Sequence, residues 1–400
     1  MKKPLLVAYY LTQFHPIAEN DAWWGQGFTE WTNVTKAAPL FNGHYQPHLP
    51  TDLGFYDLRV RETRRAQIEL AKQYGIDGFC YYYYWFSGKK LLEAPLEDML
   101  ADKQSDMPFM LMWTNENWTR RWDGLDKEVL ISQAHAPEDD LDFIKSVLPY
   151  LKDDRYIKLD GAPILAVYRP QLLPAARQTL SVWRDYCASQ GIGRLHIAAV
   201  YGKNNWDHAS FGFDSGIEFP PNNLSIKQNR LDHLLHFFTR DPFDVVDFSD
   251  IATQFLDRRY DPENRAFRCV FPAWDNTPRR QKNGLVVLNG TPANYEWWLA
   301  QAIKRTEIEF PRQESIVFIN AWNEWAEGAH LEPDRKHGRA FLEATLRAKS
   351  GTSLKGWTNV GVPKEFHCLE PKSVYHRGPQ PPPFLTREQT TAAGKNYLRK

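Results

Sequence analysis

The stretch RVRETRRAQIELAKQYGIDGFCYYYYW, residues 59–85, decides the reading of the fold. In its first part Val60, Ala66, Ile68, Leu70 and Ala71 recur among charged residues with helical spacing, which predicts a helix over 59–74 with Gly75 as its C-terminal cap. In its second part, 76–85, apolar and aromatic residues run almost unbroken, as in a strand buried on both faces. A helix that passes through one glycine into such a strand is half of an α/β repeat. The same grammar recurs on either side. Short β-rich runs lie at 4–11, 108–113, 163–168, 195–201, 214–219, 269–274 and 315–322, and helix-like segments at 139–151, 175–189, 294–308 and 338–349. Eight strands alternating with helices predict an α/β fold, the (β/α)8 TIM barrel. An open doubly wound sheet is the alternative, but no GxGxxG follows a strand and no GxxxxGK[ST] occurs.

Two segments depart from the pattern. Residues 12–51 form a long loop after the first strand, and Trp23, Trp24, Phe28, Trp31 and Phe41 argue that it is ordered and functional. From 355 the chain lacks periodicity and contains Pro381-Pro382-Pro383. The expected organisation is a single catalytic barrel domain over 1–350 and an irregular C-terminal extension over 351–400.

Composition narrows the function. The 49 basic and 49 acidic residues among 400 cancel, which argues against nucleic acid as a partner. Cys80, Cys187, Cys269 and Cys368 lie far apart with no CxxC pair, so no zinc or redox motif is expected. The apolar run at 5–10 is too short for a secretory segment, and no run approaches the ~18 residues of a membrane span. The expected compartment is therefore the cytoplasm, without membrane insertion. No cofactor is expected, and nothing in the sequence fixes the oligomeric state.

Aromatic residues make up 14% of the chain, 15 of them tryptophan. Core packing accounts for many. It accounts less well for tryptophans set among hydrogen-bonding residues, as in Trp113-Thr114-Asn115-Glu116-Asn117-Trp118. Such surfaces suit sugars, whose C–H faces are apolar and whose edges carry hydroxyls, so an oligosaccharide or polysaccharide is the expected substrate. Trp24, Trp31, Trp85, Trp113, Trp118 and Trp274 are expected to line a cleft. In a TIM barrel the functional groups gather at the C-terminal strand ends. These ends offer Tyr9, Tyr168 and Arg169, and, as candidate substrate contacts, Tyr10, Tyr84, Trp85, Trp113, Asn115, Glu116, Tyr201, Glu218, Trp274, Asp275 and Asn323.

The sharpest motif is Asn320-Ala321-Trp322-Asn323-Glu324-Trp325-Ala326-Glu327-Gly328. Cleaving a glycosidic bond takes one carboxyl group to protonate the leaving oxygen and a second as base or nucleophile. Glu324 and Glu327 follow one strand, and Trp322 and Trp325 stand by to desolvate them. The pair would equally fit a helix N-terminus, where acids favour the dipole. Glu116 is a further carboxylate, or the partner of Arg120 or Arg121. His15, His44 and His48 match no metal motif and read as hydroxyl contacts, His48 foremost, or as structure.

At these residues the chain resembles the WbsX family. The resemblance runs from about residue 6 to 346. It is carried by 75–86, 113–120, 271–280 and 323–328, in that order. Members occur in bacterial O-antigen and capsule gene clusters and are often labelled glycosyltransferases. The family is similar in turn to glycoside hydrolase family 99, endo-acting α-mannosidases with a (β/α)8 barrel and an Asn-Glu-Trp-x-Glu-Gly motif. That resemblance implies Glu324 as the base on a substrate 2-hydroxyl, which attacks the anomeric carbon to form a 1,2-anhydro sugar. It implies Glu327 as the general acid and then base. Trp325, between the two acids, is a further candidate substrate contact. Ala326 stands where family 99 has histidine, and Tyr83 where the WbsX pattern has histidine. Arg279 and Arg280 have no evident family 99 counterpart; Arg279 suits an anionic sugar or donor phosphate, or a structural salt bridge. The implied activity is cleavage or transfer at α-glycosidic linkages of bacterial polysaccharide by a retaining mechanism. The alternatives are a glycosyltransferase of lipopolysaccharide O-antigen biosynthesis and a non-catalytic carbohydrate-binding protein.

Overall fold

The computed structural model describes residues 3–352, except 121–124, 134, 136, 202–206, 223–230, 232–234, 236–237, 239–242, 261–262, 281–282 and 312–313. The extension expected from 351 therefore lies, from 353 onward, outside the described residues. Eight strands form the barrel: β1 (Leu5–Tyr10), β2 (Gly78–Phe86), β3 (Phe109–Trp113), β4 (Ala162–Val167), β5 (His196–Val200), β6 (Ser215–Ile217), β7 (Ala266–Val270) and β8 (Ile316–Ile319). Each pairs in parallel with the next, and β8 returns to pair with β1. Closure leaves the barrel no unpaired sheet edge, and the open-sheet alternative falls away.

The helices between the strands are α1 (Arg61–Gln73), α2 (Ala94–Ala101), α3 (Pro137–Leu151), α4 (Ala176–Ser189), α5 (Phe248–Leu256), α6 (Pro292–Glu309) and α7 (Ala340–Ser350). Among the described residues β5 and β6 are joined by a 3-10 turn, Ala209–Phe211, in place of a helix. The long first loop is ordered, with helices Ala18–Trp24 and Glu30–Thr35. The seventh strand starts three residues and ends four residues earlier than its apolar text suggests. It ends at Val270, and Trp274–Asp275 instead joins a small sheet with Leu285–Leu288 and Asp244–Asp247. Among the described residues no helix is long and apolar enough to cross a membrane.

Alternation along the strands decides which aromatics reach the barrel interior. Tyr9 stacks on Phe318 at 5.3 Å and meets Phe219, inside the barrel. Tyr10, one residue on, faces the helix layer, beside Phe79 and Tyr81, and donates its hydroxyl to Gln67 of α1 at 2.6 Å. On β2, Tyr82 and Tyr84 turn inward. Tyr83 donates to Ser146 of α3 at 3.1 Å, and Trp85 packs on Phe143 of the same helix. Trp113 stacks on Phe143 at 4.2 Å and meets Trp183 of α4.

Candidate active site

Beyond β8 the chain keeps to the barrel wall. Trp322 N–H donates to the Tyr9 carbonyl at 2.8 Å. The Asn323 amide then mimics a strand neighbour: its Oδ1 accepts Leu11 N–H at 2.8 Å and its Nδ2 donates to the Leu11 carbonyl at 3.0 Å. Asn323–Glu324 pairs with Ala329–His330 as a tight hairpin, whose tip is the 3-10 turn Trp325–Glu327. Glu324 stands at the N-terminus of this short turn and Glu327 within it, but the Glu324 side chain makes no capping hydrogen bond. Behind the hairpin, Trp325 Nε1 donates to buried Glu332 at 2.6 Å, and Tyr56 and Gln67 donate to the same carboxyl group.

Gly328 closes the turn at φ 61°, a conformation that costs a residue with a Cβ about 1 kcal/mol or more. A Cβ there would also lie 2.9 Å from the Asp275 backbone nitrogen. We expect Gly328→Ala to lower stability by roughly 1–3 kcal/mol, seen as an earlier midpoint in denaturant unfolding. An unchanged midpoint would mean that the hairpin does not rest on Asp275.

Arg279 ties the acids together. Asp275 Oδ1 accepts the N–H and hydroxyl of Thr277 at 3.0 and 2.6 Å, which sets the short helical turn Thr277–Arg280. From it Arg279 donates through Nη1 to Glu327 at 2.8 Å and through Nη2 to Glu324 at 2.7 Å. Nη2 also donates to Glu30, a fully buried carboxylate on the second helix of the long loop. Of the two readings open for Arg279, the structure has the salt bridge, to three acids at once. One cation cannot neutralise three carboxylates, so a proton is favoured among them. Burial pushes Glu324 up; Arg279 opposes this, Glu327 and Glu30 reinforce it, and the result is about 8.

This shift has a consequence for stability. The folded state holds a proton on the Glu324–Glu327 pair that the unfolded chain releases near 4.5. Stability is therefore lost as pH rises from about 4.5 to about 8. Glu324→Gln cannot ionise and escapes this loss. Its melting temperature should exceed wild type by at least ~2 °C at pH 8.5, with the gap narrowing toward pH 5. A gap independent of pH in thermal melts would contradict the shift.

A cavity of about 210 Å³ opens above the acids at the C-terminal ends of the strands. Of the expected contacts it is lined by Trp24, Tyr84, Glu116, Trp118, Trp274 and Arg279, with Glu324 and Glu327. Tyr168 and Arg169, also read as strand-end groups, line it too, as does Tyr82, which that reading left out; the Arg169 guanidinium lies 4.3 Å from the Tyr168 ring. Tyr82 and Tyr84 are held protonated, because burial and then the charge of Glu324 push them well above the usual tyrosine range. Both remain hydroxyl donors. Glu116 pairs with Arg169 at 3.0 Å; of its expected partners, Arg121 lies outside the described residues.

The remaining expected contacts lie elsewhere. Tyr10, Trp31, Trp85 and Trp113 are core residues, so half of the expected tryptophan cleft is corrected to packing. Trp31 packs on Trp325 at 5.4 Å, and Trp325 stacks on His330 at 3.8 Å; neither lines the cavity. Asn115 is a buried clamp: its amide exchanges hydrogen bonds with the Arg169 backbone at 2.9 and 2.7 Å. Asn323 is spent on Leu11. Tyr201 lies over Gly216, where a Cβ would come within 2.2 Å of its ring. Glu218 faces outward, accepting from Tyr260 at 2.8 Å and from Cys269 N–H at 3.1 Å.

A second cavity of about 160 Å³ shares Trp274 with the first and holds His48 and Asp275. Asp275 Oδ2 accepts from Gln46 at 2.6 Å and meets His44 Nε2 at 2.6 Å. Because Leu40 N–H donates to His44 Nδ1, the proton of a neutral His44 sits on Nε2 and is given to Asp275. Burial would raise Asp275, but His44, Thr277 and Gln46 outweigh it and hold the group at about 2. His15 is buried within the long first loop.

The family described as Glycosyltransferase WbsX matches residues 6–345. This chain belongs to the WbsX family. Two strains of Xanthomonas campestris pv. campestris carry relatives called Uncharacterized protein WxcX, 46% and 47% identical over 348 residues, or 86% of this WbsX chain. The chain spans about half the length of these relatives, 49%. Among solved structures, a glycoside hydrolase-like protein is similar at TM-score 0.55 and 14% identity, covering 87% of this chain and 94% of its own. The GH99 endo-alpha-mannosidase from Bacteroides thetaiotaomicron is similar at TM-score 0.54 and 14% identity, covering 86% and 96%. These likenesses carry the barrel fold that the WbsX chain shares with them.

Proposed function

We propose that this chain cleaves or transfers α-glycosidic linkages in a bacterial polysaccharide of the O-antigen or capsule type, with retention of configuration. The observation that carries this reading is the pair Glu324 and Glu327, bonded to one arginine at the floor of a cavity walled by tyrosine and tryptophan. In the proposed first step Glu324 accepts the proton of the substrate 2-hydroxyl. O2 attacks C1 while the bond from C1 to the leaving oxygen breaks, and Glu327 gives that oxygen its proton. In the second step Glu327 takes a proton from water, the water oxygen attacks C1 while the bond from C1 to O2 breaks, and O2 recovers its proton from Glu324. Two inversions give retention, and no sugar is attached to the protein. Tyr82 and Tyr84 supply hydroxyl donors, and Trp24, Trp118 and Trp274 supply flat apolar surface.

The family's description favours one variant of this reading, in which the hydroxyl of an acceptor sugar replaces water in the second step. The test is to incubate the purified protein with polysaccharide isolated from the cells that encode it, with and without nucleotide sugars, and to follow products by mass spectrometry. Shortened fragments without nucleotide sugar support hydrolysis, and re-spliced fragments support transfer between chains. Product that forms only with a nucleotide sugar would point to a sugar-nucleotide transferase. Bound but intact polysaccharide would point to a binding protein.

A further inference from the structure

The second cavity contains a cluster that the proposed chemistry does not use. His48, from the long first loop, points Nδ1 at Nε2 of His330 at 3.0 Å. The Asp334 carboxylate lies 4.0 Å from the same Nε2, and the three candidate donor atoms all fall within 4.8 Å of one another. All three residues are buried and line the cavity. The tautomer of His330 follows from its other nitrogen. Nδ1 lies 2.9 Å from the Glu332 carbonyl, which can only accept, so in the neutral ring Nδ1 carries the proton and Nε2 presents a lone pair to the cluster. A metal-ligating histidine characteristically donates its second N–H to a carbonyl in this way. Asp334 is fixed similarly: its Oδ1 accepts His337 N–H at 2.6 Å, and its backbone bridges to Pro50 and Gly338.

We propose that His48, His330 and Asp334 bind one divalent transition-metal ion of the zinc type. Two imidazole nitrogens and one carboxylate oxygen form a three-ligand set suited to zinc, with a fourth position facing the cavity for water. Tetrahedral ligation at ~2.0–2.2 Å places ligand atoms roughly 3.3 Å apart, between the two separations seen here. Sequence spacing hides this set, because His48 stands 282 residues from His330. The ion would join the long first loop to the hairpin carrying Glu324, since His330 pairs with Asn323 and stacks on Trp325. It would brace that hairpin from behind rather than touch substrate.

The test needs no substrate. The full chain is loaded with Zn2+, desalted and analysed for bound metal, and its affinity is measured by competition with a chromophoric zinc chelator. We expect one Zn2+ per chain, no displacement by excess Mg2+, and a lower melting temperature after chelation. His48→Ala and Asp334→Asn should each weaken binding by at least ~100-fold, beyond the usual cost of losing an outer partner. His337→Ala, in the same cavity but outside the cluster, should bind as wild type does. Substoichiometric zinc on the wild-type chain would overturn the proposal. So would wild-type affinity in His48→Ala, and the His48–His330 contact would then be a plain hydrogen bond.

Discussion

Glu324→Gln and Glu327→Gln should each lower turnover by at least ~100-fold on a confirmed substrate, the scale of general acid–base catalysis, while substrate binding is largely kept. Each amide preserves the shape and a hydrogen-bonding oxygen for Arg279, so the loss would reflect proton transfer rather than collapse of the site. The buried trio on one arginine also sets a pH dependence. The proposed mechanism needs one proton shared between the pair: none leaves no acid, and two leave no base. With Glu324 pushed to about 8, wild-type kcat/KM should fall above about that pH as the shared proton is lost. The profile belongs to the pair and not to either residue. Equal turnover of wild type and the double amide variant would move the chemistry to Glu116 or leave a binding protein.

Arg279→Gln should damage stability as much as activity. Arg279 reaches Glu30, Glu324 and Glu327 from a nearly enclosed position. Removing the cation strands fully buried Glu30 and the two acids at the cavity floor, and breaking a buried pair in this way costs about 3–5 kcal/mol. The sign of the pH effect follows. At low pH the acids can protonate and need no cation, so the loss should shrink from pH 8 toward pH 5. Arg279→Lys keeps the charge but not the two-pronged geometry and should lie between the two. Denaturant unfolding at both pH values measures this. A loss under ~1 kcal/mol at pH 8 would mean that the acids are already neutral or hydrated without Arg279.

Much of the fold was legible because a parallel barrel writes itself as apolar runs between amphipathic helices. All eight runs correspond to strands of the barrel, from β1 to β8. The seventh was read late because Phe271, Ala273 and Trp274 prolong the apolar text beyond Val270, where pairing in the barrel stops. The motif around Glu324 and Glu327 was legible as paired acids after a strand. What failed was phase. Strand-end reading treats neighbours alike, yet alternation sends Tyr9, Tyr82, Tyr84 and Met112 inward and Tyr10, Tyr83, Trp85 and Trp113 to the helices. Tyr83, one of the two departures from the family patterns, therefore faces α3 rather than the cavity. Glu30 was missed for another reason. It lies in a loop nearly 300 residues from its carboxylate neighbours, and Arg279 and the packing of Trp31 on Trp325 bring them together. The aromatic density around it had marked the loop as ordered. An acid between Phe28 and Trp31 was the available signal.

The proposed mechanism rests on a division of labour between Glu324 and Glu327. It is tested most directly by comparing their amide variants on the native linkage and on a glycosyl fluoride of the same sugar, whose leaving group departs without a proton. Glu327→Gln, impaired at least ~100-fold on the native linkage, should return to within ~10-fold of wild type on the fluoride, while Glu324→Gln should stay impaired on both. Recovery of Glu324→Gln on the fluoride, or no recovery of Glu327→Gln, would contradict it.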